Sequence, residues 1–174
     1  GVVVNDSGID ATHPDLAFGE KTVQNVMGTT NLNAYDALLP VTYVEDIPDT
    51  DIGSGHGTHV AGTVGGLGTQ SGGEHAGVAP GADLIGYGSG AVVFVLDTLG
   101  GLDYALVNQF RYNIRVVNNS WGQSGTTAPF DPDNPTSIAT KMMADRGIIN
   151  VFAAGNEGSG EGTIGGTFIK APWV

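Results

Sequence analysis

The chain opens on a β-branched run, Val2 to Val4, that stops at Asn5-Asp6-Ser7-Gly8. A short apolar run closed by polar residues and glycine reads as a buried strand ending in a turn. Comparable runs recur at Leu84 to Tyr87, Val116 to Asn119 and Ile148 to Ala154. Between them the spacing lengthens to three and four: Leu96, Leu99, Leu102, Leu106 and Phe110 lay an apolar stripe along one face of a helix. Asn134-Pro135 supplies a cap and a first-turn proline, and Gly147 supplies a stop, so a second helix is predicted between them. Strands alternating with helices need parallel crossovers. The predicted fold class is therefore α/β, a three-layer, doubly wound, mainly parallel sheet with helices on both faces. The stretch from Glu20 to Ser54 lacks a clear period and carries the acidic group Glu45, Asp46, Asp49 and Asp51, so it reads as surface excursions. No internal repeat is visible, and 174 residues suit one domain over residues 1–174.

In sheets of this kind function collects at the carboxyl ends of the strands. Asp6 ends the first predicted strand, where a carboxylate is held rigidly; Asp10 and Asp15 lie further into the same turn. In Gly-Ser-Gly-His-Gly-Thr-His, His56 stands between glycines at a predicted helix start, which leaves room for a substrate backbone beside its imidazole. A carboxylate that accepts from one ring nitrogen fixes the tautomer, and the other nitrogen can then take a proton from an attacking hydroxyl. The pair suggests acyl transfer. Asn156 lies in a glycine-flanked turn after the last apolar run, where it either caps the turn or donates toward a developing oxyanion.

Composition narrows the alternatives. Eighteen acidic against six basic residues give a net charge of −12, which argues against a nucleic-acid partner. Without cysteine there is neither a disulfide framework nor a thiolate nucleophile. No uninterrupted apolar run is long enough to cross a bilayer, so no membrane partner is expected. The many glycines, gathered in short runs between apolar segments, suit a site built from loops.

Five blocks in order resemble the subtilisin-like serine protease family: VVVNDSGIDATHPDL, GHGTHVAGTVGG, GVAPGADLIGYGSG, VVNNSWG and VFAAGNEG. The resemblance implies a serine-type endopeptidase, with Asp6 and His56 as triad members and Asn156 as oxyanion donor. His59, inside the second block, is implied to be structural. Ser120, Trp121 and Gly122 with Ala153, Ala154 and Gly155 would wall the primary specificity pocket, although Trp121 suits core packing equally. Gly88, Ser89 and Gly90 would pair with an extended polypeptide substrate. Asp15 matches an acidic residue that ligates Ca²⁺ in many members, but the loop 68–76 is longer and richer in glycine here, and a solvated Asp15 is an equal reading. The acidic group 45–51 is a weaker cation candidate. The chemistry itself needs no cofactor, and the resemblance implies a secreted parent protein.

One part of the pattern is missing. The family's nucleophile sits in a Gly-Thr-Ser block, and none occurs in this sequence. Ser89 and Ser124 are the nearest imitations, but both fall in blocks already assigned to substrate walls. The expectation is a chain cut before its nucleophile, inactive until the C-terminal part of the same domain is supplied. The alternative is a non-catalytic peptide-binding pseudoprotease. A metal hydrolase built on His56 and His59 is disfavoured, because the two are three apart rather than four and lack the accompanying Glu.

Overall fold

The first strand is apolar on both faces because both faces are covered. In the computed structural model, which describes residues 1–30, 41–90, 95–123 and 128–174, β1 (Val2–Asp6) lies inside a six-stranded sheet. Val3 points into one core and Val4 into another, as the two-residue period of a strand requires. The first core gathers Val3, Val26, Ile85 and Tyr87 with Leu102, Ala105 and Leu106 of α2 (Val95–Val107) and Met143 of α3 (Pro135–Asp145). The second gathers Val4 and Leu84 with Ile9, Leu16 and Ala61, the last from α1 (His56–Gly65). Helices thus cover both faces, giving the three-layer α/β arrangement.

The remaining strands are β2 (Thr22–Thr30), β3 (Val41–Val44), β4 (Leu84–Gly88), β5 (Val116–Asn119) and β6 (Ile149–Phe152). Their order is β3-β2-β4-β1-β5-β6, parallel throughout except for the antiparallel β2–β3 pair. β1 sits beside β4 and β5, and its last residue, Asp6, is level with Gly88. The carboxyl ends of β1, β4, β5 and β6 therefore share one edge of the sheet.

Helix boundaries follow local chemistry. The Asn134 side chain accepts from the Thr136 amide at 2.9 Å and Pro135 occupies the first turn, while Gly147 takes a left-handed φ of 75° just past the end of α3. In α2 Leu102 and Leu106 of the expected stripe are buried and Leu99 is partly buried, whereas Leu96 near the start of the helix and Phe110, beyond its end at Val107, are exposed.

The structure corrects the reading of residues 20–54. Instead of surface excursions only, the stretch contains β2 and β3, with β2 hydrogen-bonded into the sheet beside β4. The strand escapes detection because several of its buried residues are polar, with their hydrogen bonds supplied by other segments of the chain. Thr22 Oγ1 donates to the Leu16 carbonyl, Gln24 Nε2 donates to Asp46 and to the Tyr112 hydroxyl, and Asn25 Nδ2 donates to the Ile9 carbonyl. At the opposite margin, Ile149 and Val151 of β6 are exposed on the face away from α3, since the alternate residue, Asn150, is the one that donates to the Thr140 carbonyl of that helix.

Ile85 is fully buried in the central strand β4 between the two inner strands. Ile85→Ala should destabilise the domain by about 2–5 kcal/mol. Urea unfolding followed by circular dichroism reads this as a lower midpoint at unchanged slope.

Candidate active site

Asp6 enters the site rigidly because it is the last residue of a strand paired on both sides. Its side chain is 2% exposed, whereas the side chain of His56, the first residue of α1, is 55% exposed. His56 Nδ1 stands 2.6 Å from Asp6 Oδ1, and the same oxygen accepts from the Ser7 amide at 2.7 Å. With Asp6 ionised, this network assigns the imidazole proton to Nδ1, leaving Nε2 as the acceptor on the accessible part of the ring. The buried acid orients and the exposed base remains available.

This proximity depends on two glycines. Gly57 follows His56, and a Cβ there would overlap the carbonyl oxygen of Gly8. Gly8 has a φ of 140°, and a Cβ on it would overlap the backbone of Thr50. No side chain fits between the start of α1 and the turn after β1.

Asn156 follows β6 through Gly155, which adopts a φ of 101°. A cavity of about 120 Å³ is lined by Ser120, Trp121, Gly122, Ala153, Ala154, Gly155 and Asn156. Six residues expected at the primary pocket and the expected oxyanion donor thus surround one space. Trp121 does two things there. Its ring packs against Phe152 and Phe168 at centroid distances of 5.2 and 5.8 Å, its Nε1 donates to the Asn5 carbonyl at 2.9 Å, and its edge forms part of the cavity wall. Gln123, Glu157, Gly165 and Ile169 also line the cavity and were not singled out from the sequence. Position was the available signal for Glu157, since it directly follows Asn156.

Gly88, Ser89 and Gly90 lie at the end of β4, against β1. The Ser89 amide and hydroxyl both donate to the Asp6 carbonyl at 2.9 Å, and the Gly90 amide donates to the Ser7 carbonyl at 3.3 Å. Those donors tie β4 to β1, so they are not open to an incoming strand. Ser124 lies outside the described residues.

Asp15 sits in the short 3-10 helix Pro14–Leu16 that follows the turn after β1. Its Oδ1 accepts from the Thr69 amide at 2.6 Å and from the Thr69 hydroxyl. The hydroxyl bond holds its carboxyl below the ordinary Asp range. Among the described residues, no three His, Asp or Glu side chains are grouped to hold a metal. A larger cavity of about 600 Å³ is lined by His13, Asp15, His59, Glu74 and His75 together with small residues, but it includes neither His56 nor Asp6. The acidic group 45–51 is likewise dispersed: Glu45 accepts from Tyr104 and Arg111, Asp46 from Gln24, and Asp49 from the Asp51 amide.

Among the described residues, no helix is long and apolar enough to cross a membrane.

Comparison with known proteins places these features in a family. Residues 1–168 match the Subtilase family. Subtilisin E of Bacillus subtilis (strain 168) is 37% identical over 171 residues, covering 93% of this chain and 35% of that protein. Subtilisin of Bacillus pumilus is also 37% identical over 171 residues, covering 93% of this chain and 49% of that protein. Subtilisin Savinase of Lederbergia lenta is 33% identical over 165 residues, covering 91% and 48%. The chain thus spans between about a third and a half of the length of the relatives it matches. With a strand-end aspartate bonded to a helix-start histidine, and with the family match running over nearly its whole length, the chain belongs to the subtilase family.

Proposed function

We propose that this chain contributes the general-base pair, the oxyanion donor and the primary pocket of a serine endopeptidase acting through an acyl-enzyme. The observation that carries the reading is the 2.6 Å separation of His56 Nδ1 from the buried Asp6 carboxylate. In this reading a serine hydroxyl attacks the scissile carbonyl while His56 Nε2 removes its proton, and the imidazolium then returns that proton to the leaving amine. Water repeats the sequence on the ester, regenerating the serine and releasing the acid. Asp6 keeps the ring in the Nδ1–H tautomer and stabilises the imidazolium. Asn156 donates to the tetrahedral oxyanion, and the cavity it shares with Ser120 to Gly122 and Ala153 to Gly155 takes a substrate side chain. The substrate is a polypeptide in extended conformation. No metal or organic cofactor takes part in these steps.

No serine of residues 1–174 matches the family's nucleophile block, so the reading assigns the attacking hydroxyl to sequence outside these residues and no peptidase activity to residues 1–174 alone. A peptide-binding protein without catalysis would show the same absence. A fluorophosphonate probe separates the two: it should leave residues 1–174 unlabelled and label the polypeptide made from the complete reading frame. A complete protein that stays unlabelled establishes the binding protein; stoichiometric labelling of a serine within residues 1–174 overturns the assignment.

Replacement of Asn156 by Leu, near in size but unable to donate, should act on kcat much more than on KM in the complete protein, because the bond strengthens only as charge develops. Loss of such a donor from a subtilisin lowers kcat by about 10²–10³. Equal effects on both constants, or none, would reduce Asn156 to a turn residue.

Gly57→Ala places a methyl against the Gly8 backbone and must push α1 away from β1. The variant should lower Tm and separate His56 from Asp6. A crystal structure of the variant in which the imidazole still bonds to Asp6 would refute the close-approach argument.

A further inference from the structure

The helix that carries His56 begins without a side-chain cap of its own, since its N-cap residue is Gly55, at a left-handed φ of 78°. The first amides of a helix nonetheless need acceptors. Asp51, in the loop before the helix, accepts from two of the four amides of residues 55–58. Its Oδ2 accepts from the Thr58 amide at 3.0 Å and from the Thr58 hydroxyl at 2.6 Å, and its Oδ1 accepts from the Gly55 amide at 3.0 Å. Ser54 Oγ accepts from the His56 amide at 3.3 Å. The remaining early amide, that of Gly57, donates to Ser7 Oγ at 2.9 Å, and Ser7 Oγ donates in turn to Asp51 Oδ1 at 2.9 Å.

Ser7 is therefore shared. Its amide bonds to the Asp6 carboxylate, while its hydroxyl joins Asp51 to the amide of Gly57. Thr58 completes a second link, because its hydroxyl donates to Asp51 and accepts from the Asp10 amide at 2.9 Å. One carboxylate thus ties the helix that bears the base to the turn that follows the acid, on both sides of the Asp6–His56 bond. A negative charge at a helix N-terminus is electrostatically favourable as well. Burial raises the Asp51 carboxyl, but the bonds from Thr58, Gly55 and Ser7 outweigh it and hold it below the ordinary Asp range.

We infer that Asp51 is a positioning residue that sets the distance and orientation of His56 against Asp6 through Ser7 and the first turn of α1. The inference rests on the reading of Asp6 and His56 as the general-base pair. It assigns Asp51 no contact with substrate. Asp51→Asn keeps the volume but turns an amide toward hydrogen-bond donors that the carboxylate accepted, and Ser7→Ala cuts the link to β1 while leaving the Asp51 bonds to Gly55 and Thr58.

Proton NMR of the complete protein tests this without a measurement of turnover. A hydrogen bond as short as that between His56 and Asp6 should give a low-field Nδ1–H resonance. Asp51→Asn should abolish it, and Ser7→Ala should weaken or abolish it, both with the far-ultraviolet circular dichroism retained. Tyr104→Phe, which removes a bond to Glu45 on the α2 face, should lower Tm while leaving the resonance intact. Should Asp51→Asn fail to fold, Ser7→Ala carries the test alone. Persistence of the resonance in the folded variants overturns the positioning role but leaves the Asp6–His56 pair standing. Loss of the resonance in Tyr104→Phe as well overturns the specific role of Asp51. Its absence from the unsubstituted chain overturns the pair and the positioning role together.

Discussion

The approach of α1 to the end of β1 governs everything at the carboxyl edge of the sheet. A helix and a strand pack at a spacing set by the side chains between them, and here Gly57 removes the side chain at the point of contact with Gly8, while Gly8 lets the Thr50 backbone approach from another side. Backbone meets backbone, and the imidazole of the residue before Gly57 comes within 2.6 Å of the strand-end carboxylate. The valines of β1, pointing alternately into the two cores, fix the strand's rotation and its height. The dyad is in this sense a by-product of packing: its geometry is set by Val3, Val4 and Ala61 as much as by its own hydrogen bond.

The same edge shows how polar groups are handled when a site must be rigid. Asp6, Asn5, Ser7, Thr50 and Asn119 are all buried, and most of their bonds run to one another's neighbourhood or to backbone. Asn5 Nδ2 reaches the Thr98 carbonyl and Asn119 Oδ1, while Thr50 Oγ1 accepts from the Ile9 amide and donates to Asn25 Oδ1. Such bonds add little net stability individually, on the order of 1 kcal/mol each. Their value lies in the cost of breaking one inside a buried network, which restricts the site to a single arrangement.

How much of this could be read from the sequence depended on how far each signal was local. The four parallel strands that carry the site announced themselves as short apolar runs, and the cap of α3 was legible in Asn134-Pro135. Asp6 and His56 stood out by position, at a strand end and between glycines. β2 did not, because Thr22, Gln24 and Asn25 are buried through partners supplied by distant segments, which no local pattern reveals. The stripe of α2 misled at its two ends for a related reason: period alone does not say where a helix stops. Asp51 looked like one of several solvated acids, and only the folded chain shows that Glu45 and Asp46 serve separate networks, that Asp49 holds the Asp51 amide, and that the Asp51 carboxylate faces the start of α1. Trp121 was open between core and pocket from the sequence; in the structure its ring packs against Phe152 and it also lines the cavity beside Asn156.

The sheet's two margins have different physical characters. On one side β3 turns back antiparallel, and the Glu45 just beyond it is fastened by Tyr104 and Arg111. On the other, β6 presents backbone groups beside exposed Ile149 and Val151. A strand of that kind accepts another strand readily. Folding of this chain is a first-order process and pairing between copies through β6 is second-order, so dilution favours the monomer and concentration favours assembly. The margin farthest along the sheet from β3 is therefore the one that decides how concentrated a solution of the chain can become before it ceases to be a solution of single molecules.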